Sequence, residues 1–239
     1  MYRWLQNVID AVLPPRCLLC GEILSGENGL CPECFAKINF ISQPICRHCG
    51  NPLPAGGSVP FCALCVGDKH NPFRMQRSQV KYDDGSRPLL VGFKFNDRTE
   101  NAAFLARWLF VAGHDIWENG ADVLVPVPLH KARLRRRRYN QSALLCRELS
   151  RLTGIPVDYT SLARHKNTRP QVEISGRERR SNVKNAFCLT RNNVFSGKRV
   201  VIVDDVLTTG ATLKECGLTV LSGGAESVDA LTVARVVKA

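Results

Sequence analysis

Val200-Val201-Ile202-Val203-Asp204-Asp205-Val206-Leu207-Thr208-Thr209-Gly210-Ala211-Thr212 reads as a strand, a turn and a helix start. Four consecutive β-branched apolar residues suit a central strand buried on both faces of a parallel sheet. Two adjacent carboxylates follow where such a strand would surface. Small hydroxylated residues and a glycine then open Leu213 to Leu221, a segment of helical character. Backbone N–H groups at a helix start, together with threonine hydroxyls, surround an anion, and the helix dipole favours its charge. Gly210 lets the backbone approach a ligand closely. Asp204 and Asp205 cannot serve a phosphate directly, so they call for sugar hydroxyls or a hydrated metal ion. An ordinary buried strand and turn accounts for the valines. It leaves the paired acids before Thr208-Thr209-Gly210 unexplained.

Working outward from that stretch, the chain has 239 residues, enough for one medium α/β domain and a small second one. With 44% hydrophobic and 23% charged residues it has the composition of a soluble globular protein. No apolar run is long enough to span a bilayer. Residues 1–16 place Trp4, Leu5, Val8, Ile9 and Val12 at helical spacing, with Arg3 and Asp10 breaking any signal-peptide core. They read as a short amphipathic helix packed on the next domain, a membrane-surface helix being the alternative. A cytoplasmic location is expected. The net charge of +12 calls for an anionic partner, a nucleic acid or a phosphorylated small molecule.

Eight of the eleven cysteines form Cys-x-x-Cys pairs: Cys17/Cys20, Cys31/Cys34, Cys46/Cys49 and Cys62/Cys65. A two-residue gap lets both thiolates of a pair reach one ion, and two pairs complete a tetrahedral zinc site. Gly21 and Gly50 follow the first pair of each half, where a zinc knuckle needs a residue tolerant of positive φ. Cys-Leu-Leu-Cys-Gly-Glu-Ile-Leu and Cys-Arg-His-Cys-Gly-Asn-Pro-Leu are internally similar. The repeat predicts two successive ribbons over 17–70, each closing its own structural zinc: Cys17, Cys20, Cys31, Cys34 and Cys46, Cys49, Cys62, Cys65. A cross-braced pairing, first with third and second with fourth, is the alternative. His48 reads as a surface residue, not a ligand. So few large apolar residues could not fold such a module without the metals.

Residues 73–239 read as the α/β domain. Phe73 to Tyr82 is extended, Arg87 to Phe95 and Thr99 to Gly113 are helical, and Val123-Leu124-Val125 is a short strand bent by Pro126 and Pro128. Lys131, Arg133, Arg135, Arg136, Arg137 and Arg138 follow with no acid among them, then Tyr139-Asn140-Gln141. A solvated helix start is the plain reading of such a run. So dense a row of like charges also favours an anion, with guanidinium groups for phosphates and Tyr139 to stack a base of single-stranded DNA. Ser142 to Leu152 continues as a helix that Gly154 ends, and Ala163 to Asn185 is a long polar loop rich in Arg and Asn. Lys198 to Val203 and Ala225 to Ala234 complete the strands. Strands alternating with helices put a ligand at the carboxyl ends of a parallel sheet.

The acid pair and threonine-glycine turn resemble the phosphoribosyl pyrophosphate (PRPP) signature of type I phosphoribosyltransferases. That resemblance implies that Asp204 and Asp205 hold ribose hydroxyls. Thr208, Thr209, Gly210, Ala211 and Thr212 would hold the 5′-phosphate, and Val127, Pro128, Leu129 and His130 would contact the pyrophosphate of magnesium-bound PRPP. It also implies a hood over 163–185 that closes on the substrate. The double ribbon, Val125-Pro126-Val127-Pro128-Leu129-His130, the arginine run with Asn140-Gln141, and the signature together resemble the ComF (competence protein F) family along nearly the whole chain. Arg164, Thr168, Gln171, Arg177, Arg180 and Asn182 fit its hood motif, while Arg138-Tyr139 stand where many members have a glycine and an aromatic. The family implies a role in natural transformation or use of external DNA beside the DNA-uptake machinery. A catalytically active phosphoribosyltransferase of nucleotide salvage or modification is the alternative function.

Overall fold

In a computed structural model, residues 14–26, 29–56, 59–68, 70–95, 99–166 and 185–237 are described. The centre is a parallel sheet in the order β1 (Gln76–Lys81), β6 (Ser227–Arg235), β5 (Arg199–Leu207), β2 (Val123–Pro126). Val200 pairs with Val123 on one side and with Val228 on the other, so β5 has ladder partners along both edges. Val200, Val201, Ile202 and Val203 are all buried, as a fully covered strand requires. Burying each such side chain contributes roughly 1.5–3 kcal/mol.

The sheet divides the core in two. On one face Val201 and Val203 pack with Leu89, Leu90 and Phe93 of α3 (Arg87–Phe95), Leu105 and Leu109 of α4 (Asn101–Ala112), Ile116 of α5 (His114–Glu118), and Leu145 and Leu149 of α7 (Gln141–Thr153). On the other, Val200 and Ile202 pack with Leu213, Cys216 and Val220 of α8 (Ala211–Ser222). Asn140 caps α7 by accepting from the Ser142 N–H at 3.1 Å, and Gly154 ends that helix in the left-handed region. Two short strands, β3 (Leu162–Arg164) and β4 (Phe187–Leu189), pair antiparallel over α8 at the base of the long polar loop. Residues 167–184 of that loop lie outside the described residues, and with them all of the expected hood motif except Arg164.

The zinc module is built into this domain. It contributes the one-turn helices α1 (Pro32–Ala36) and α2 (Ala63–Gly67) and two knuckles. Residues 1–13 of the expected N-terminal helix lie outside the described residues; Arg16 is extended and bridges Ile23 within the first ribbon. The segment leaving that ribbon runs along β1, with Ile41 N–H donating to Gln79 O and Lys81 N–H to Asn39 O, both at 2.8 Å. It covers a sheet edge that would otherwise present free hydrogen-bonding groups.

The second knuckle is held harder. Three consecutive carbonyls, of Arg47, His48 and Cys49, accept from Arg77 Nη2 (3.0 Å), the Gln76 N–H (2.7 Å) and Arg235 Nη1. The expected surface residue His48 is half-buried, and its Nε2 donates to Phe73 O at 2.7 Å, so it clips ribbon to sheet. Gly50 has φ +67, and a Cβ there would stand 2.5 Å from Gln76 O, whereas Gly21 at φ +80 has nothing within 4 Å. Gly50→Ala is therefore expected to cost about 2–4 kcal/mol and Gly21→Ala only about 1 kcal/mol. Denaturant unfolding of the zinc-loaded protein checks the difference, and equal costs would contradict this docking.

Candidate functional site

β5 continues through the acids instead of ending at Val203: Asp204 pairs with Thr232 and Leu207 with Arg235 of β6. The carboxylates are therefore fixed by ladder hydrogen bonds near the carboxyl end of the sheet, not carried on a loose turn. Asp205 is 6% exposed and ion-paired with Lys94 Nζ at 3.0 Å. Asp204 Oδ1 accepts from Ser142 Oγ at 2.9 Å and from the Asp205 N–H at 3.0 Å. Loss of water around Asp204, reinforced by the neighbouring Asp205 charge, raises its pKa to about 7 in spite of Lys94 and Ser142.

The turn expected to hold phosphate adjoins these acids. Gly210 sits at φ +78 as the N-cap of α8, and Thr209 Oγ1 accepts from the Ala211 N–H at 3.4 Å. A small hollow of about 30 Å³ touches Asp204, Thr208, Gly210, Ala211 and Thr212 together. Acid and cradle are thus one site, with first-turn N–H groups of a three-turn helix beside it.

The loop Val127-Pro128-Leu129-His130 leaves β2 next to β5, where Val127 N–H donates to Val203 O at 3.0 Å and Asn140 Nδ2 donates to Val127 O at 3.0 Å. His130 caps α6 (Lys131–Arg137), its Nδ1 accepting from Ala132 N–H at 3.2 Å. Helical geometry divides the arginine run. Arg133 and Arg137, one turn apart, are half-buried, while Lys131, Arg135, Arg136 and Arg138 are exposed. Burial and the neighbouring Arg164, Arg137 and Arg136 charges lower the Arg133 pKa to about 10. Burial also lowers Arg137, and the Asp205 and Asp204 charges oppose that shift. Arg164, buried on β3 with its guanidinium 5.3 Å from the Phe187 ring centroid, is shifted down by burial and back up by Cys216 and Asp204. Arg137 and Arg164 are therefore inner cations close to the acids, and Arg133 stands beside them among like charges.

Tyr139 departs from the expected free stacking platform. It is half-buried, with its hydroxyl donating to Phe93 O at 2.7 Å, while Gln141 Nε2 donates to Lys94 O at 3.1 Å. Both hold the last turn of α3, which places Lys94 against Asp205. Lys94 and Ser142 were not singled out in the sequence. Their signal is long-range, and only the fold brings them to the acids.

The cysteine sulfurs gather as Cys17, Cys20, Cys31, Cys34 and as Cys46, Cys49, Cys62, Cys65, each set with all sulfurs within 4.8 Å of one another. Pairing is successive, which excludes the cross-braced alternative. Sulfur separations of 3.7 Å (Cys20–Cys31) and 3.6 Å (Cys49–Cys62) suit a tetrahedron with zinc–sulfur bonds of about 2.3 Å. Burial raises the Cys17 thiol, but N–H donors from Cys20, Cys31 and Leu19 bring it down to about 6; Cys46 likewise falls to about 7. The two sets fit two structural zinc ions.

A double zinc ribbon domain model matches residues 8–66, and a phosphoribosyl transferase domain model matches residues 140–237. The chain is 35% identical to competence protein F of Haemophilus influenzae, across 92% of this chain and 96% of that protein. The chain belongs to the ComF family. Other ComF relatives are the DNA utilization protein YhgH of Escherichia coli K12, 35% identical over 93% of this chain and 98% of that one, and competence protein ComFC of Bacillus subtilis, 28% identical over 92% and 94%. Among solved structures, a purine phosphoribosyltransferase from Pyrococcus horikoshii aligns at 20% identity and TM-score 0.32, covering 51% of this chain and 65% of that one. This ComF chain thus combines a double zinc ribbon with a phosphoribosyltransferase fold. Among its described residues no helix is long and apolar enough to cross a membrane.

Protonation of Asp204 sets a pH dependence. With a folded pKa near 7 against an ordinary 3.8, the folded state binds the extra proton between those values. Stability therefore falls as pH rises from about 4 to about 7, by an order of magnitude of 2–4 kcal/mol for an isolated site. Asp204→Asn should flatten that slope and make the ligand-free protein more stable than the parent at pH 8. Parallel stability–pH curves for the two would contradict the buried-acid geometry.

Proposed function

We propose that this chain is a cytoplasmic DNA-handling protein of natural transformation or external DNA use, binding single-stranded DNA on its exposed basic row and PRPP in its acid-and-turn pocket. The observation that carries this reading is the meeting of Asp204 with the Thr208–Thr212 turn at one end of the sheet, with Asp205 paired to Lys94 beside it. The names of the relatives support the DNA role.

In this reading Asp204 and Asp205 accept hydrogen bonds from ribose hydroxyls, and the turn receives the 5′-phosphate at the α8 N-terminus. Arg133, Arg137 and Arg164, together with Val127 to His130, face the pyrophosphate. Magnesium bound with PRPP would neutralise phosphate charge next to the acids. The outer row, Lys131, Arg135, Arg136 and Arg138, contacts the DNA backbone, and Tyr139 keeps that segment anchored. Phosphoribosyl transfer is the second reading. It is favoured by the acid pair, which stands where positive charge would develop on the ribose carbon. Pyrophosphate release in the presence of an acceptor base would separate transfer from binding.

For single strands, binding weakens with salt by about 0.7 logarithmic units per neutralised phosphate. Replacing the four outer residues by Ala is expected to make the log–log salt slope shallower by about 2–3 while leaving PRPP binding intact. Fluorescence anisotropy with a labelled oligonucleotide checks this. Absence of binding at low salt, or a flat salt dependence of the parent, would overturn the DNA assignment.

A further inference from the structure

The two cysteine sets fit the same metal but meet the rest of the chain differently. In the second set Cys46 and Cys49 are buried, and Cys62 and Cys65 are half-buried. Guanidinium groups hold two carbonyls of its knuckle, Arg77 Nη2 on Arg47 O at 3.0 Å and Arg235 Nη1 on Cys49 O, and both arginines are buried. In the first set Cys17, Cys31 and Cys34 are buried, whereas Cys20 is exposed. No other cysteine of the two sets is open to solvent to that degree. A carboxylate stands beside it, with Glu22 Oε2 4.0 Å from Cys20 Sγ. Arg16 and Glu22 are both exposed there, and Arg16 Nη1 donates to Gly21 O at 3.0 Å.

Zinc holds every sulfur of a set as a thiolate, so the surroundings act on how readily each sulfur attacks, not on whether it is ionised. Nucleophilicity falls where cations or hydrogen-bond donors stabilise the thiolate, and a neighbouring acid has the opposite effect. In the first ribbon the Cys31 N–H goes to Cys17 Sγ, at 3.4 Å, and not to Cys20. Cys20 is therefore the accessible sulfur of the pair of sites and the one with an acid beside it. Its Sγ lies 3.7 Å from Cys31 Sγ, so a disulfide of about 2.0 Å needs only a small movement.

We propose that the first zinc site is a peroxide-reactive thiolate centre in which Cys20 is oxidised first, Cys31 resolves it, and only that set releases its zinc. The Cys20 thiolate attacks one oxygen of hydrogen peroxide, giving the sulfenic acid and hydroxide. The Cys31 thiolate then attacks the sulfenic sulfur, forming the Cys20–Cys31 disulfide and expelling a second hydroxide. Two thiolates lose two electrons and the peroxide gains them. The zinc leaves because two of its four ligands are gone. The second knuckle stays clamped on Gln76, Arg77 and Arg235. The first ribbon has its hold on the sheet through the strip that follows α1, where Ile41 N–H donates to Gln79 O and Lys81 N–H to Asn39 O. Oxidation thus loosens the cover of the β1 edge and leaves the second ribbon docked.

Hydrogen peroxide added to the zinc-loaded full chain tests this, with zinc release read by a chromogenic chelator and oxidised cysteines mapped by peptide mass spectrometry. One equivalent of zinc is expected to leave at least about tenfold faster than the other, in step with the Cys20–Cys31 disulfide. Hydrogen exchange at the Ile41 and Lys81 amides should rise in that phase, while the Gln76 amide keeps its protection. Cys20→His retains a zinc-binding set of three cysteines and one histidine and should abolish the fast phase. Glu22→Arg, a surface change that keeps all eight sulfurs, should slow it about threefold. Simultaneous release of both ions, first oxidation at Cys62 or Cys65, or a fast phase that survives in Cys20→His would overturn the proposal. If Cys20→His does not hold zinc, the mapping and Glu22→Arg decide: first oxidation away from Cys20, or a rate unchanged in Glu22→Arg, would overturn it equally.

Discussion

Two carboxylates share the end of one buried strand, and the surroundings of the site are arranged to tolerate them. Adjacent acids away from water cannot both ionise freely. One is paired with Lys94 at 3.0 Å, and the other, hydrogen-bonded to Ser142, holds its proton up to about pH 7. Lys94 is in place because Tyr139 and Gln141 tie down the carbonyls of Phe93 and Lys94. Ser142 is in place because Asn140 starts α7 and also holds Val127. The residues after the arginine run are thus positioning residues for the acid pair. The same short segment carries the outer basic row, so the exposed cations and the acid pair share one support.

The zinc ribbons have a comparable dependence on the domain. Three successive knuckle carbonyls meet donors from both β1 and the end of β6, so the metal-bound turn and the sheet hold each other in register. Loss of zinc from the second set would remove the constraint on Cys46 to Gly50 and with it one wall of a cavity beside α8. The ribbon is therefore part of the architecture beside α8, not a separate appendage.

Much of this was legible in the sequence because its signals are local. The valine run, the acids and the turn occupy consecutive residues, and the cysteine spacing marks the four pairs, while which pairs share an ion is set by the folded ribbons. The strand nonetheless runs to Leu207, since β6 offers it ladder partners that no local pattern reveals. Tyr139 looked like a stacking group because its hydroxyl partner, Phe93 O, lies 46 residues away. The division of the arginines into inner and outer groups follows from helix geometry, but which face turns inward depends on the packing of α6. The placements of His48 and Lys94 arise entirely from contacts between distant segments.

The central claim is that Asp204, Asp205 and the Thr208–Thr212 turn form one PRPP pocket. Thermal unfolding with and without PRPP and magnesium, at pH 7.5, tests it most directly. The parent should gain stability with PRPP concentration as a ligand of the folded state must. The Asp204→Asn, Asp205→Asn double variant should gain none while remaining folded. Equal stabilisation of variant and parent would place PRPP elsewhere, and no stabilisation of the parent would contradict the pocket itself.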